Sequence, residues 1–425
     1  MNVLGIIASG VAALFITVAL AKSARRVALR PHVPDEPGGR APRAEALRRT
    51  GGATAVVGVG TATGVALWLG AADDAAGSVG GLLAGAGIVA ALGLVHDLKP
   101  LWTALRLAVQ TAAAILVVCL AGLSPVAGVL AALWIVLVTN AFALLDHADG
   151  LLTAVGLVTA AGLLTCALVG GDPALALLPT TLVAGLAGFL LHTWHPARLR
   201  LGATGAQFTG FALAASGALI QEAAPSGRAA WAALPALATV ALADSALVLI
   251  SRRRAARFPL RDTDDHIAHR LRRVRVTVPG AAVLTALWAA VPVATGALVY
   301  ADLLHPAFLL LPFAGTAAAV FALLRIPAYA PPRTAPPRTG SSRTTPTRTA
   351  SSGMAQSRTA AARRTDASGV GAAIPAAASA PGAKGSAPGQ GASAAARTAA
   401  GHPTVPPPPT GRPAAEAATA AAERG

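Results

Sequence analysis

The feature that most constrains this chain is a succession of apolar runs, each long enough to cross a lipid bilayer. They can be read near residues 3–21, 51–71, 77–95, 103–122, 125–145, 151–170, 174–193, 206–221, 230–250, 277–299 and 303–324. A helix spans the hydrocarbon layer with roughly 17–25 residues. No water is available there to satisfy backbone N–H and C=O groups, so such runs fold as helices. Hydrophobic residues make up 54% of the chain and charged ones 12%, with a mean hydropathy of +0.61. That leaves too few polar groups to cover a soluble body of this size. The expected fold is an all-α polytopic membrane protein with about eleven transmembrane helices.

Lys and Arg gather in loops on the cytoplasmic side of a membrane protein, which gives the parsing an orientation. Loop 22–50 carries Lys22, Arg25, Arg26, Arg30, Arg40, Arg43, Arg48 and Arg49, and loop 251–275 carries a run of arginines from Arg252 to Arg275. Lys99, Arg106, Arg198 and Arg200 are assigned to smaller loops on the same side, whereas the opposite connections contribute Arg228. The N-terminus is therefore expected outside and the C-terminus in the cytoplasm of a multi-pass inner (plasma) membrane protein. The first span lacks a basic leading segment and is read as a retained helix. Trp102, Trp194, Trp231 and Tyr300 fall near span ends, where interfacial aromatics belong. Cys119 and Cys166 lie in apolar spans and read as small hydrophobes, with neither a disulfide nor a metal role.

Two segments follow from composition. Residues 1–325 form the multi-span membrane domain, and residues 326–425 turn to Pro, Ala, Thr, Ser, Gly and Arg, with Pro-Pro-Arg-Thr repeats near 331–339. The second segment cannot bury enough apolar surface to order itself and is expected to be a disordered basic tail near anionic lipid. The sequence pI near 11.6 thus carries no argument for nucleic acid as a partner.

Function is best sought where polar residues are hard to explain, and they collect in five places on the cytoplasmic side. These are Val33 to Arg40 with Arg49-Thr50-Gly51-Gly52; Gly93 to Leu98, containing His96-Asp97; Thr139 to Leu151, containing Asn140, Asp146, His147 and Asp149; His195-Pro196-Ala197-Arg198 with Gly202 to Gly205; and Asp262 to Leu271, containing His266, His269 and Arg270. Asp146 and Asp149 are three apart, a spacing that shares one face of a helix, and two carboxylates at a membrane edge are costly unless paired or metal-bound. Asp244 lies inside the ninth run, and an intramembrane carboxylate is a functional candidate by default. Carboxylates and an Asn suit a divalent cation, and histidines and arginines suit a phosphate. The set matches phosphoryl transfer between a soluble nucleotide and a membrane lipid, which needs positioning and charge neutralisation. Each cluster also has a plainer reading: Asp97 as a helix-end residue, the arginine-rich loop as a topology signal, and His266 and His269 as part of an amphipathic loop helix.

In motif order, loop side and span number, residues 1–325 resemble the polyprenyl-phosphate N-acetylhexosamine-1-phosphate transferases, glycosyltransferase family 4. That family includes the translocase making the first lipid intermediate of peptidoglycan. Its Val-Asp-x-Pro-x-x-Arg loop and Arg-x-Gly-Gly are approximated by Val33 through Gly52, and its Asp-Asp by His96-Asp97. Its Asn-x-x-Asn-x-x-Asp-Gly-x-Asp-Gly-Leu aligns with Asn140 through Leu151, and its Pro-Ala-Lys/Arg and Gly-Asp-x-Gly-Ser with Pro196-Ala197-Arg198 and Gly202 to Ala206. Pro235, Asp244 and Arg252-Arg253 match its ninth span, and His266 to Leu271 its His-x-His-His-Arg-Leu loop.

The resemblance implies transfer of a sugar 1-phosphate from a UDP-sugar to undecaprenyl or decaprenyl phosphate, releasing UMP, with Mg²⁺ or Mn²⁺, in cell-envelope glycan synthesis. It implies catalytic roles for Asp97, Asp146 and Asp149, metal contacts at Asn140 and Asp149, and substrate contacts at His266, His269, Arg270, Arg198 and Asp244. It also implies a homodimer, for which no residue here argues independently. The pattern departs from the family at His96, Ala143, His147, Ala203 and Ala268, and Ala203 stands where the family has a metal-binding Asp. An alternative is therefore a catalytically deficient paralogue that binds lipid phosphate or nucleotide as a scaffold or regulator. A transporter would place its polar groups within the spans, and here most of them sit in loops.

Overall fold

The computed structural model describes residues 3–28, 51–224, 228–254 and 265–326. The loop around Val33 to Thr50, the stretch 255–264 and the expected tail beyond Ile326 lie outside these residues. Among the described residues the structure is helical, with no strand. In chain order the helices are α1 (Val3–Ala28), α2 (Gly52–Trp68), α3 (Ala76–Leu98), α4 (Thr103–Leu120), α5 (Pro125–Leu144), α6 (Leu151–Val169) and α7 (Leu177–Thr193). They continue as α8 (Gly202–Glu222), α9 (Arg228–Leu237), α10 (Thr239–Arg254), α11 (Ile267–Arg273), α12 (Val278–Tyr300) and α13 (Leu310–Leu324). Each of the eleven apolar runs is realised: most as one helix, the eleventh as a short 3₁₀ turn leading into α13, and the ninth as the pair α9 and α10, bent by 64°. By length and composition nine spans qualify outright and the bent pair makes a tenth; α2, of 17 residues, is the shorter apolar helix.

The bend has a local cause. Pro235 has no N–H for the Trp231 carbonyl and crowds that turn, which weakens the helix leading into the break. Where the ladder changes direction at Ala238, the Thr239 hydroxyl donates to the carbonyls of Pro235 and Ala236, both at 3.0 Å. Freed carbonyls inside a membrane protein need such partners.

α8 is the centre of the bundle, packed by α2, α3, α5, α6 and α9. Of its most apolar 18-residue window 94% is buried, against 17% for the last span. This explains why the least apolar run in the chain is nevertheless an inner helix: Thr204, Gln207, Thr209, Ser216 and Gln221 are buried in protein and never meet lipid. The outer helices instead expose Phe15, Leu130, Leu133, Leu287 and Leu311 to the surroundings, as lipid-facing surfaces should.

Three expectations are corrected here. α1 continues to Ala28, so Lys22, Arg25 and Arg26 lie on a helical extension beyond the apolar run. Arg106 is not a loop residue but sits in the first turn of α4, with a buried Nε. Tyr300 is no interfacial aromatic: it is 5% exposed, and its hydroxyl donates to the Ile220 carbonyl at 3.1 Å. A phenol placed deep in a bundle needs that acceptor.

Close approach at the cytoplasmic end depends on missing side chains. A Cβ on Gly52 would run into the Leu201 carbonyl and lie 2.7 Å from Gly205 Cα, and one on Gly93 would lie 2.5 Å from the Ala203 carbonyl oxygen. The starts of α2 and α8 and the end of α3 can meet only because those positions are glycine. Gly52→Ala is therefore expected to cost about 1–3 kcal/mol by overpacking. Gly60→Ala, in the same helix but facing open space, is expected to leave stability unchanged; thermal unfolding in detergent compares the two.

Candidate functional site

Three of the carboxylates singled out in the sequence converge on the segment that opens α8. Asp97, near the end of α3, accepts the Ala203 N–H at Oδ1 (2.9 Å), and at Oδ2 the Thr204 N–H (2.9 Å) and hydroxyl (2.7 Å). Asp146 accepts the Gly202 N–H at 2.8 Å. Asp149 accepts the Ala197 N–H at 3.2 Å and faces His195 Nδ1 at 2.8 Å. The first N–H groups of a helix have no partner within it, and the helix dipole favours negative charge there. Two aspartates thus cap α8 from outside its own sequence, and a third holds the turn before it.

Asp146 and Asp149 were expected to share a helix face. They lie instead in the turn between α5 and α6, which ends at Gly150 with φ +71°. A side chain at that φ would be strained, so this glycine fixes the direction in which the turn presents its polar groups. Asp146 is half-buried, and burial pushes its carboxyl up to about 7 against the pull of Arg200 and the Gly202 N–H.

His147 points away from α8. Its Nδ1 lies 2.9 Å from the Leu144 carbonyl, and its ring stacks on His266 with centroids 3.8 Å apart. The His269 ring is 5.2 Å from that of His147. Burial drives the His147 imidazole down to about 3, so it is neutral at physiological pH. Behind this stack lies Asp244 of α10, fully buried, facing His266 Nδ1 at 2.8 Å and accepting the Ile267 N–H at 2.8 Å. The intramembrane carboxylate therefore caps the start of α11 and orients His266.

The remaining candidates are placed as follows. Asn140 donates to Gln110 of α4 at 2.7 Å and to the Val136 carbonyl at 2.8 Å. Arg270 is 2% exposed and donates to the carbonyls of Leu323 (2.7 Å), Ile326 (2.5 Å) and Asp265 (3.0 Å) and to the Ser251 hydroxyl (2.7 Å). It straps α11 to the ends of α10 and α13. Arg252 approaches Asp265 at 3.4 Å, both buried. Arg198, Arg200 and His195 lie at the surface; His195 faces Asp149, and Arg200 donates to the His147 carbonyl at 3.4 Å. Sequence reasoning placed Gly93, one helical turn before Asp97, and Thr204, whose hydroxyl completes the Asp97 cap, inside polar clusters without giving either a role, and it did not name Gln110, a lone amide in an apolar helix.

An all-oxygen Mg²⁺ centre does not fit this arrangement. Both oxygens of Asp97 and one of Asp146 are taken by N–H and O–H donors of the α8 start, and position 203 is a methyl group. A hard cation takes several oxygen ligands at once. The grouping of metal-ligating side chains found among the described residues is His147, Asp244 and His266.

The fold and site define a multi-pass α-helical membrane protein whose acidic and histidine-bearing loops meet at one end of the bundle. Residues 79–220 match the model of glycosyl transferase family 4. A Streptomyces coelicolor protein designated a glycosyltransferase is 42% identical over 278 residues, covering 64% of this chain and 66% of that protein. An undecaprenyl-phosphate N-acetylglucosaminyl 1-phosphate transferase assigned in Bacillus subtilis is 26% identical over 223 residues, covering 49% and 61%. The phospho-N-acetylmuramoyl-pentapeptide-transferase of Moorella thermoacetica is 39% identical over 84 residues, covering 20% and 26%. The chain belongs to glycosyl transferase family 4. It spans just under two thirds of the length of the first two of these relatives, 66% and 61%.

Asp97→Ala removes three hydrogen bonds from the start of α8 and is expected to cost about 2 kcal/mol or more of stability. Asp97→Asn, which keeps an acceptor, is expected to cost less; melting curves of the two variants check the order. Asp146 gives a pH signature. Its folded-state value lies above the ordinary 3.8, so the folded protein holds that proton more tightly than the unfolded chain. The stabilisation is complete below about pH 4 and lost as pH rises through about 7. The melting temperature of the wild type minus that of Asp146→Asn is therefore expected to fall between pH 5 and pH 8.

Proposed function

We propose that this protein transfers a sugar 1-phosphate from a UDP-sugar to a polyprenyl phosphate, undecaprenyl or decaprenyl, at the cytoplasmic face of the inner membrane in cell-envelope glycan synthesis. The observation that carries this reading is the convergence of four separate polar segments at one end of the bundle. Asp97, Asp146 and Asp149 join the end of α3 and the turn 145–150 to the loop 195–204, and the His147 ring of that turn stacks on His266 at the start of α11. The family membership and the Bacillus relative's assigned activity point the same way.

In the reaction, a phosphate oxygen of the lipid attacks the β-phosphorus of the nucleotide sugar. The bond between the β-phosphorus and the bridging oxygen breaks, and UMP leaves with that oxygen and the electron pair. Such a transfer is driven by alignment and by neutralising phosphate charge. Arg198, Arg200 and His195 stand at the surface of the loop 195–204 and supply cationic or donor groups for the two phosphate-bearing substrates. His269 borders the same end of the bundle. Asp97, Asp146 and Asp149 act in this reading by fixing the α8 start and the 195–204 loop against which the nucleotide would lie. Mg²⁺ or Mn²⁺ is the divalent cation expected from the family pattern. Its oxygen ligands do not assemble among the residues at this end of the bundle.

A second reading has a specific observation in its favour. Asp97 and Asp146 are committed to capping α8 just where Ala203 replaces an acidic ligand, as expected of a catalytically deficient paralogue that still binds lipid phosphate or nucleotide. Purified full-length protein with polyprenyl phosphate, a UDP-sugar panel and a divalent metal is expected to release UMP. Absence of release, in an assay where an ordinary family member turns over, rejects the transferase. Activity gained on replacing His96→Asp, Ala143→Asn and Ala203→Asp together in an inert parent would establish the second reading.

A further inference from the structure

We propose that His147, Asp244 and His266 bind a transition-metal cation of the zinc class, at a site separate from the carboxylates that cap α8. The three residues come from the turn after α5, from α10 and from the start of α11. One potential ligand atom from each lies within 4.8 Å of the other two. Nothing in local sequence brings them together, since they stand 97 and 22 residues apart along the chain.

Hydrogen bonding fixes what the His147 ring offers. The Leu144 carbonyl can only accept, so His147 carries its proton on Nδ1 and has its lone pair on Nε2. That Nε2 is buried and has no hydrogen-bond partner. A buried polar atom without a partner is uncommon and calls for an explanation. Asp244 Oδ2 and His266 Nδ1 lie 2.8 Å apart, close enough to be shared by one ion. Asp244 is also held through Oδ1 by the Ile267 N–H at 2.8 Å, so this ligand is anchored in the backbone. The His269 ring, 5.2 Å from His147 and 6.2 Å from His266, stands close enough to bring a further nitrogen.

Imidazole nitrogens with one carboxylate suit Zn²⁺ and its neighbours in the first transition row, whereas Mg²⁺ takes oxygen and holds its water. Position 147 is also where this chain departs from the glycine of the family pattern, so the ligand is a feature of this chain. A bound cation would join the turn 145–150 to α10 and α11 and thereby brace the loop end of the bundle. The site is defined without reference to the transfer reaction, and its test uses no substrate.

The experiment takes full-length protein carrying a histidine-free affinity tag, purified in detergent and stripped with a chelator. Zn²⁺ is titrated against a chromophoric chelator, and melting temperature is followed with Zn²⁺ or Mg²⁺. The expected result is one tightly bound Zn²⁺ per chain and a melting temperature raised by Zn²⁺ and not by equimolar Mg²⁺. Removing a ligand with His147→Gly or Asp244→Asn is expected to weaken binding by about 10- to 100-fold or more. X-ray absorption of the zinc-loaded protein should show nitrogen or oxygen ligands near about 2.0–2.1 Å. Failure of the stripped wild type to bind Zn²⁺ stoichiometrically overturns the proposal even if both variants fail to fold. Unchanged affinity in a folded His147→Gly protein overturns it as well. A protein that binds Zn²⁺ yet releases no UMP would leave this site standing and reject only the transferase.

Discussion

The cytoplasmic half of this protein depends on the capping of one buried helix start. α8 runs through the middle of the bundle, and its first N–H groups would be left unpaired beneath the surface if nothing external reached them. Asp97 and Asp146 reach them, from α3 and from the turn after α5. Gly52 and Gly93 make room by letting backbones come to contact distance. The consequence is mechanical: moving α8, α3 or the turn would break charge-assisted hydrogen bonds, the stronger kind, so the three must stay together. Whatever chemistry occurs at this face is carried by groups mounted on that frame.

The same turn divides the polar residues into two sets. Asp146 and Asp149 face the loop 195–204, whereas His147 between them faces α10 and α11. Gly150 holds the turn in the conformation that permits this alternation. On the second side Asp244 plays the part that Asp97 plays on the first. It is buried, it accepts a backbone N–H at the start of a helix, and it orients the buried His266 ring. Arg270 closes that side by binding carbonyl groups at the end of α13. Its donors are spent on the protein, which makes it a strap, whereas Arg198 and Arg200 stay exposed.

Most of the fold was legible because lipid enforces a simple rule: an apolar run of sufficient length becomes a helix. The runs and the face bearing the polar loops followed from that rule. The bend at Pro235 was visible as a residue but not as an angle, since helix direction after a break is set by packing against α5, α12 and α13. The centrality of α8 was hidden too. Its Gln207, Ser216 and Gln221 make it the least convincing span by hydropathy, and only contact with its neighbours shows that protein rather than lipid surrounds it.

The site was legible in its residues and not in their duties. Spacing marked Asp146 and Asp149 as neighbours, but it assumed a helix where Gly150 imposes a turn. Composition marked Asp97 as an acid near a membrane surface, yet the backbone N–H groups that claim it lie more than a hundred positions away, at Ala203 and Thr204. A carboxylate that caps a helix and one that binds a cation look alike in a sequence, because both demands select Asp. They separate only through the identity of the partner atom. The three aspartates at the α8 start meet N–H and O–H donors. His147 meets an acceptor on one nitrogen and no partner on the other. The buried unshared lone pair at this turn therefore lies on a histidine rather than on an aspartate, which is the reverse of what residue type alone suggests.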